Sequence, residues 1–242
     1  LAPILKLQKL TRYFAGLAAV KDVSFEIEQG GLVGLIGPNG AGKTTLLSLV
    51  AGSLKPTSGK IEFEGRDLAG AQSFQAVRAG VARTHQIPKP FRTMTVQENV
   101  EVGLRFGRKA GAASPAKKTE EFLEMVGIAP LARRPAFLLS VGDLKRLELA
   151  RALAARPTLL LCDEICSGLT ETESGLILRL LCEITRAGTT ILYVEHNLRA
   201  IMSICNPVIV MNYGQKLAEG PPGMVQNDPS VIEAYIGKKA KL

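Results

Sequence analysis

Three groups of residues in this 242-residue chain have types and spacing suited to chemistry. The first is Gly37-Pro38-Asn39-Gly40-Ala41-Gly42-Lys43-Thr44-Thr45, which fits the pattern G-x-x-x-x-G-K-[ST] without a gap. Glycines let backbone N–H groups turn inward around phosphates, and a helix that follows adds the positive end of its dipole. Lys43 would then reach the β- and γ-phosphates of a nucleoside triphosphate, and the Thr44 hydroxyl would ligate Mg²⁺. The second group is Asp163-Glu164, at the end of an apolar run. The aspartate would hold Mg²⁺ directly or through water, and the glutamate would orient and deprotonate an attacking water. The third is His196, after a second apolar run. A histidine in such a place is by itself more often structural than catalytic, and Asp-Glu alone also reads as a helix cap followed by a surface carboxylate.

These residues need particular elements beneath them. Gly31-Leu32-Val33-Gly34-Leu35-Ile36 suits a strand buried on both faces, and Thr45 to Gly52 is apolar at helical spacing and closed by glycine. Leu159 to Glu164 and Thr189 to Val194 read as further buried strands whose carboxyl ends carry the candidate residues, the edge where open α/β sheets bind ligands. Leu5 to Glu28 reads as a pair of strands, with Val23, Phe25 and Ile27 alternating with Ser24, Glu26 and Glu28. Lys60 to Gly65 and Val81 to Gln86 add shorter strands, and Pro88 and Pro90 end regular structure. From Thr95 the text turns helical, opening on a capping box at Thr95 to Glu98, and Phe122, Leu123 and Val126 share a face. Val208 to Met211 and Lys216 to Glu219 flank Tyr213-Gly214 as a closing hairpin, and a short helix follows around Ser230 to Tyr235.

Composition sets bounds. A hydrophobic fraction of 46% and a charged fraction of 21% fit a globular domain, and no apolar run approaches the roughly 18 residues of a membrane span. The net charge of +8 admits a nucleic-acid surface, an anionic membrane face or a phosphate-rich ligand. The basic residues are scattered, as Lys117-Lys118, Arg133-Arg134 and Lys238-Lys239-Ala240-Lys241, with no aromatics between them, so a base-stacking platform is not expected and solvated surface charge is the simplest account. Cys162, Cys166, Cys182 and Cys205 have no metal-ligand spacing, and Leu1 to Lys6 has no secretory layout. A reduced, cytosolic protein is expected.

Between the helical stretch and the Asp163-Glu164 strand lies Leu139-Ser140-Val141-Gly142-Asp143, and here the chain resembles a family. The segment is similar to the L-S-G-G-Q signature of ABC-type ATPases, and the other motifs fall into that family's order. The resemblance implies that Phe14, rather than Tyr13, stacks on adenine, and that Gln86 contacts Mg²⁺ and senses a transmembrane partner. It implies that Asp163 and Glu164 form the Walker B pair, that Ser167 to Thr170 forms the D-loop, and that His196 contacts the γ-phosphate. The fold implied is α/β: a P-loop NTPase core of ABC-ATPase type with an antiparallel β subdomain and a helical insert. One domain spans 1–242, with about 1–87 and 156–242 forming a RecA-like core plus β subdomain and 88–155 forming the helical part.

In that family two subunits close over two ATP molecules, so Ser140 and Gly142 would act in trans on the partner's nucleotide. Phe14 to Leu17, Phe91 to Val100 and Asn227 to Gly237 most resemble ATPase subunits of branched-chain amino-acid uptake systems. The resemblance then implies ATP and Mg²⁺ as cofactors, and permease subunits and a second ATPase as partners. It also implies an extracytoplasmic solute-binding protein as an indirect partner and a peripheral place on the cytoplasmic membrane face. Two residues depart from the family wording: Asp143 where glutamine is common, and Thr170 where the D-loop usually has aspartate. Competing readings are a soluble ABC ATPase acting on nucleic acid or ribosomes, and a module that binds ATP but barely hydrolyses it.

Overall fold

Alternating residues near the N-terminus form two antiparallel strands, β1 (Leu5–Phe14) and β2 (Leu17–Ile27), paired from Leu5↔Ile27 to Phe14↔Leu17. Between them Ala15 and Gly16 both have positive φ, 44° and 89°, the pair of left-handed residues that a tight hairpin turn of primed type requires. The chain is described by a computed structural model over residues 3–108 and 115–236, with side chains at 115–118 and 236 left aside. Most of the stretch from Gly107 to Pro115, the side chains of Lys117 and Lys118, and the tail from Gly237 onward lie outside the described residues.

After β3 (Leu32–Ile36) come the phosphate loop and α1 (Lys43–Val50), then β4 (Ser58–Phe63), β5 (Arg66–Asp67), α2 (Ser73–Ala79) and β6 (Val81–Arg83). The helices α3 (Val96–Phe106), α4 (Pro115–Met125) and α5 (Val141–Ala154) follow. The chain then alternates β7 (Leu159–Asp163), α6 (Glu171–Arg186), β8 (Thr190–Val194), α7 (Leu198–Ile204) and β9 (Val208–Asn212). It closes with β10 (Gln215–Gly220), α8 (Pro222–Gln226) and α9 (Pro229–Ile236). Against the sequence expectations, α2, α6, α7 and α8 are additional, and the Asp163-Glu164 strand ends at Asp163 rather than Glu164.

Two sheets result: one antiparallel, in order β2-β1-β4-β5, and one in order β10-β9-β3-β8-β7-β6. In the second, β9, β3, β8, β7 and β6 are parallel and β10 pairs antiparallel at the edge. Its central strands are buried on both faces, as their near-continuous apolar text requires. The period of two divides each strand between two cores. Leu160, Cys162, Ile191 and Tyr193 join the core under α3 to α7, while Leu159, Leu161, Leu192 and Val194 join the core shared with α1 and the antiparallel sheet. Gly34 allows α7 to approach β3, since a Cβ there would lie 2.7 Å from Ile201 Cγ2. The two sheets are tied directly by the Lys21 N–H, which donates to Gly214 O at 2.8 Å.

The loop from Gln86 to α3 is anchored by one fully buried polar side chain. Asn99 Oδ1 accepts from the Phe91 N–H at 2.8 Å, and Nδ2 donates to Phe91 O at 3.0 Å and Thr95 O at 2.9 Å. Thr95 and Glu98 form the expected capping box: the Thr95 hydroxyl accepts from the Glu98 N–H, and the Glu98 carboxylate accepts from the Thr95 N–H. Asn99→Leu keeps the size and strands buried polar groups. It is expected to lower stability by about 2–4 kcal/mol. The melting temperature would then fall by about 5–10 °C, and a variant that melts with the parent would show that these bonds add nothing.

Candidate active site

The phosphate loop follows from what its backbone must do. Gly42 is the N-cap of α1 at φ 98°, and a Cβ there would meet Ala19 O at 2.2 Å; Gly37, at φ 152°, would bring a Cβ to 2.1 Å from Met211 O. Glycine is therefore required at both positions by close backbone approach as well as by φ. No side chain caps α1, so its first N–H groups are left for a ligand, and no acidic residue in its first turn opposes an anion. Lys43 is buried, with Nζ donating to Gly37 O at 2.6 Å and Pro38 O at 3.0 Å. Burial pushes its pKa down, while the charges of Glu164 and then Asp163 pull it back up.

A cleft of about 830 Å³ is lined by Pro38 to Thr45, Gln86, Glu164 and His196, and on its rim by Leu17 to Ala19 and Tyr213. Parallel strands place these groups together, because β3, β7 and β8 lie side by side and release their loops at the same sheet edge. Glu164 is 5% exposed and has φ 49°, an unusual backbone for a residue with a side chain. Its N–H donates to Val194 O at 2.9 Å, which ties the turn after β7 to β8. Its carboxylate is held from two sides: His196 Nε2 lies 2.6 Å from Oε1, and Gln86 Nε2 donates to Oε2 at 2.6 Å. A charged group placed this way, at the edge of a cleft with its orientation fixed by two partners, is suited to act as a general base.

Asp163 lies behind it, 2% exposed, outside the cleft lining. Its Oδ2 is paired with Arg83 Nη2 at 2.7 Å, while Oδ1 is buried and has no partner. A buried carboxylate oxygen without a donor is costly, and it fits a ligand site for a hard cation or for a water on that cation. Thr44 adds an exposed hydroxyl at the loop, so the oxygen donors present fit Mg²⁺. Among the described residues no group of three or more His, Cys, Asp and Glu side chains could enclose a metal by itself. An ion here would complete its shell with phosphate oxygens and water.

Ser140 is the N-cap of α5, its Oγ accepting from the Asp143 N–H at 3.1 Å and donating to Asp143 Oδ2 at 2.7 Å. Gly142 faces α6: a Cβ there would sit 2.8 Å from Glu173 Oε1. Ser140 and Gly142 do not line the cleft of their own chain. Thr170 caps α6 reciprocally with Glu173. Phe14 also lies outside the lining; the Arg12 guanidinium sits over its ring at 4.7 Å, and the neighbouring β2 residues Leu17 to Ala19 reach the cleft instead.

Several contributing residues were not singled out by sequence. Lys145 is buried on α5, with Nζ donating to Glu164 O at 3.0 Å, and burial lowers its pKa against the opposing pull of Glu195, Cys166 and other neighbours. Glu195 accepts from the N–H groups of Cys166 and His196, which fixes both loops. His85 Nδ1 lies 3.0 Å from Glu148, a buried carboxylate on α5. The adjacency of His85 to Gln86, and of Glu195 to His196, was the available signal.

Residues 20–167 match the family described as ABC transporter, and residues 215–241 match the one described as branched-chain amino acid ATP-binding cassette transporter. The chain is 39% identical, over 98% of both chains, to the high-affinity branched-chain amino acid transport ATP-binding protein LivG of Salmonella typhimurium. It is 36% identical, again over 98% of both, to the corresponding protein BraF of Pseudomonas aeruginosa. Among solved structures, the ADP conformation of an ATP-binding cassette of an ABC transporter superimposes with a TM-score of 0.87 at 31% identity, covering 98% of this chain and 100% of the other. The cleft, the order of its motifs and these likenesses agree: the chain belongs to the ABC transporter family, as one of its ATP-binding cassettes.

Proposed function

We propose that this protein is the ATP-hydrolysing subunit of an importer that takes up branched-chain amino acids or related small polar solutes. The observation that carries the hydrolytic half is the Glu164 carboxylate, buried beside the phosphate loop and gripped by Gln86 and His196. The transport half is supported by relatives of nearly the same length that are named for branched-chain amino acid transport. In this reading the N–H groups of residues 40–45 and the Lys43 ammonium, shifted from the loop carbonyls, bind the β- and γ-phosphates. The base lies along Leu17 to Ala19, beside the turn that carries Phe14.

Thr44, Asp163 and Gln86 would hold Mg²⁺, which would offset the charge that develops on the phosphate during transfer. Glu164 takes a proton from the attacking water once His196 releases its Oε1, and His196 is then free to meet the γ-phosphate. Ser140 and Gly142 serve the nucleotide of a second ATPase, with closure of the pair passed to permease subunits near Gln86. A separate binding protein selects the solute outside the membrane. Among the described residues no helix is long and apolar enough to cross a membrane. In this reading the subunit sits on the cytoplasmic face of the membrane against the permease.

The Ser140–Asp143 bond adds a constraint. The Ser140 hydroxyl proton is directed at Asp143, whereas a phosphate arriving in trans needs that donor and is repelled by the carboxylate. The site that uses this signature therefore runs slowly.

Tagged protein drawn from gently solubilised membranes is expected to bring two polytopic subunits and a sister ATPase; ribosomes or nucleic acid in their place would overturn the transport reading. Glu164→Gln is expected to cut ATP turnover by about 10²–10⁴-fold while ATP remains bound in a closed dimer, and a variant of near-normal rate removes Glu164 as the base. Asp143→Gln should raise the ATPase rate of the assembled complex several-fold; an unchanged rate sinks the inhibitory role of Asp143.

A further inference from the structure

Beneath the proposed magnesium site lies a cation that the mechanism above does not use. Arg83 ends β6 and its side chain is 10% exposed, against 2% for Asp163. Nη2 donates to Asp163 Oδ2 at 2.7 Å and Nη1 donates to Ser48 Oγ at 2.8 Å. Ser48 lies one turn along α1 from Thr44 and donates to the Thr44 carbonyl at 2.7 Å. An unbroken series of three hydrogen bonds thus joins Thr44 to Asp163 through one guanidinium. These are two of the three residues proposed to hold the ion, one from α1 and one from β7.

The pairing is not what a stabilising ion pair alone would look like. Asp163 Oδ1 and Arg83 Nε are both buried and unpartnered, so the contact leaves part of its desolvation cost uncompensated. It keeps one carboxylate oxygen occupied and the other free. Two separate nitrogens of one rigid, planar guanidinium serve the hydroxyl and the carboxylate, a fixed spacing that the single nitrogen of a lysine ammonium does not reproduce.

We propose that Arg83 is a positioning residue for the magnesium ion: it sets the spacing of Thr44 and Asp163 and turns Asp163 so that Oδ1 is left for the metal or its water. The proposal rests on the Mg²⁺ reading given under the proposed function. Two opposing effects are built into the guanidinium, since its charge repels a cation while its geometry prepares the ligands. Arg83→Lys retains the charge and loses the fork. Ser48→Ala retains the guanidinium and cuts only the link to α1.

Binding of a fluorescent ADP analogue to the full chain, measured by anisotropy across a Mg²⁺ titration and in EDTA, separates the possibilities without turnover. Both variants are expected to need about tenfold more Mg²⁺ for half-maximal enhancement of binding, the scale on which partners of metal ligands act, with affinity in EDTA close to that of the parent. Unchanged Mg²⁺ midpoints in both, or equal losses with and without Mg²⁺, overturn the positioning role. If the parent protein binds the analogue equally well with and without Mg²⁺, it is the magnesium reading that fails. Ser48→Ala carries the test should Arg83→Lys not fold.

Discussion

Two carboxylates leave the end of β7 and are buried beside a third charge, Lys43, and burying an unpaired charge is among the most costly acts in folding. The pairings that offset this cost decide which elements meet. Asp163 is paired with Arg83 on β6, and Glu164 is held by Gln86 after β6 and by His196 after β8. Lys43 is held by the carbonyls of its own loop, and Lys145 on α5 by the Glu164 carbonyl. Apart from Lys43, each charge is thus answered from another segment, and the sheet edge becomes a junction of loops. A hydrophobic core could bring these strands together but could not specify which side chains face one another.

The same logic ties the helices α3 to α5 to the sheet. Glu148, buried on α5, meets His85 from the loop after β6, and Arg151 on the next turn donates to Lys89 O while its guanidinium lies over the Phe91 ring at 5.5 Å. Burial lowers the Arg151 pKa against the opposing pull of Glu148. The loop from His85 to Phe91 is therefore gripped by α5 along its length, and it carries Gln86, which touches Glu164. Any rotation of α5 relative to the sheet has to be felt by that loop, because the contacts are directional hydrogen bonds rather than apolar surface that can slide.

Much of this was legible in the sequence, for reasons that can be named. The phosphate loop is readable because glycines at Gly37 and Gly42 answer a steric demand that no other residue meets. The central strands are readable because burial on both faces demands continuous apolar text, and the Thr95–Glu98 cap because its two bonds are local. Helix α6 was equally open to reading, since Ile177, Leu180, Leu181 and Ile184 recur at helical spacing and are buried. The Arg83–Asp163 pair was not, because it depends on the register Val81↔Leu159 between strands separated by the whole helical stretch, which no local pattern states. Phe14 shows the complementary limit. Its position in the chain suggested a base-stacking ring, but the ring's direction is set by the hairpin turn and by Arg12, neither of which a motif encodes.

The two departures from the family wording share a physical origin. Asp143 is the third residue of α5 after the cap Ser140, and Thr170 is itself the cap of α6. Helix N-termini need acceptors for exposed N–H groups, and several residue types meet that need: serine, threonine or aspartate at the cap, and glutamate or glutamine three residues later. Thr170 fills the cap position with Glu173 answering it, so this substitution preserves the local structure and keeps the backbone of the loop before it in place. Asp143 also binds the cap hydroxyl, yet it brings a charge to a helix end that, in a closed pair, would face a partner's phosphate. The helix end welcomes that charge, because its dipole favours an anion there, whereas a phosphate competing for the same donors does not. The fold therefore accommodates both changes, and only the chemistry of the proposed composite site would distinguish them.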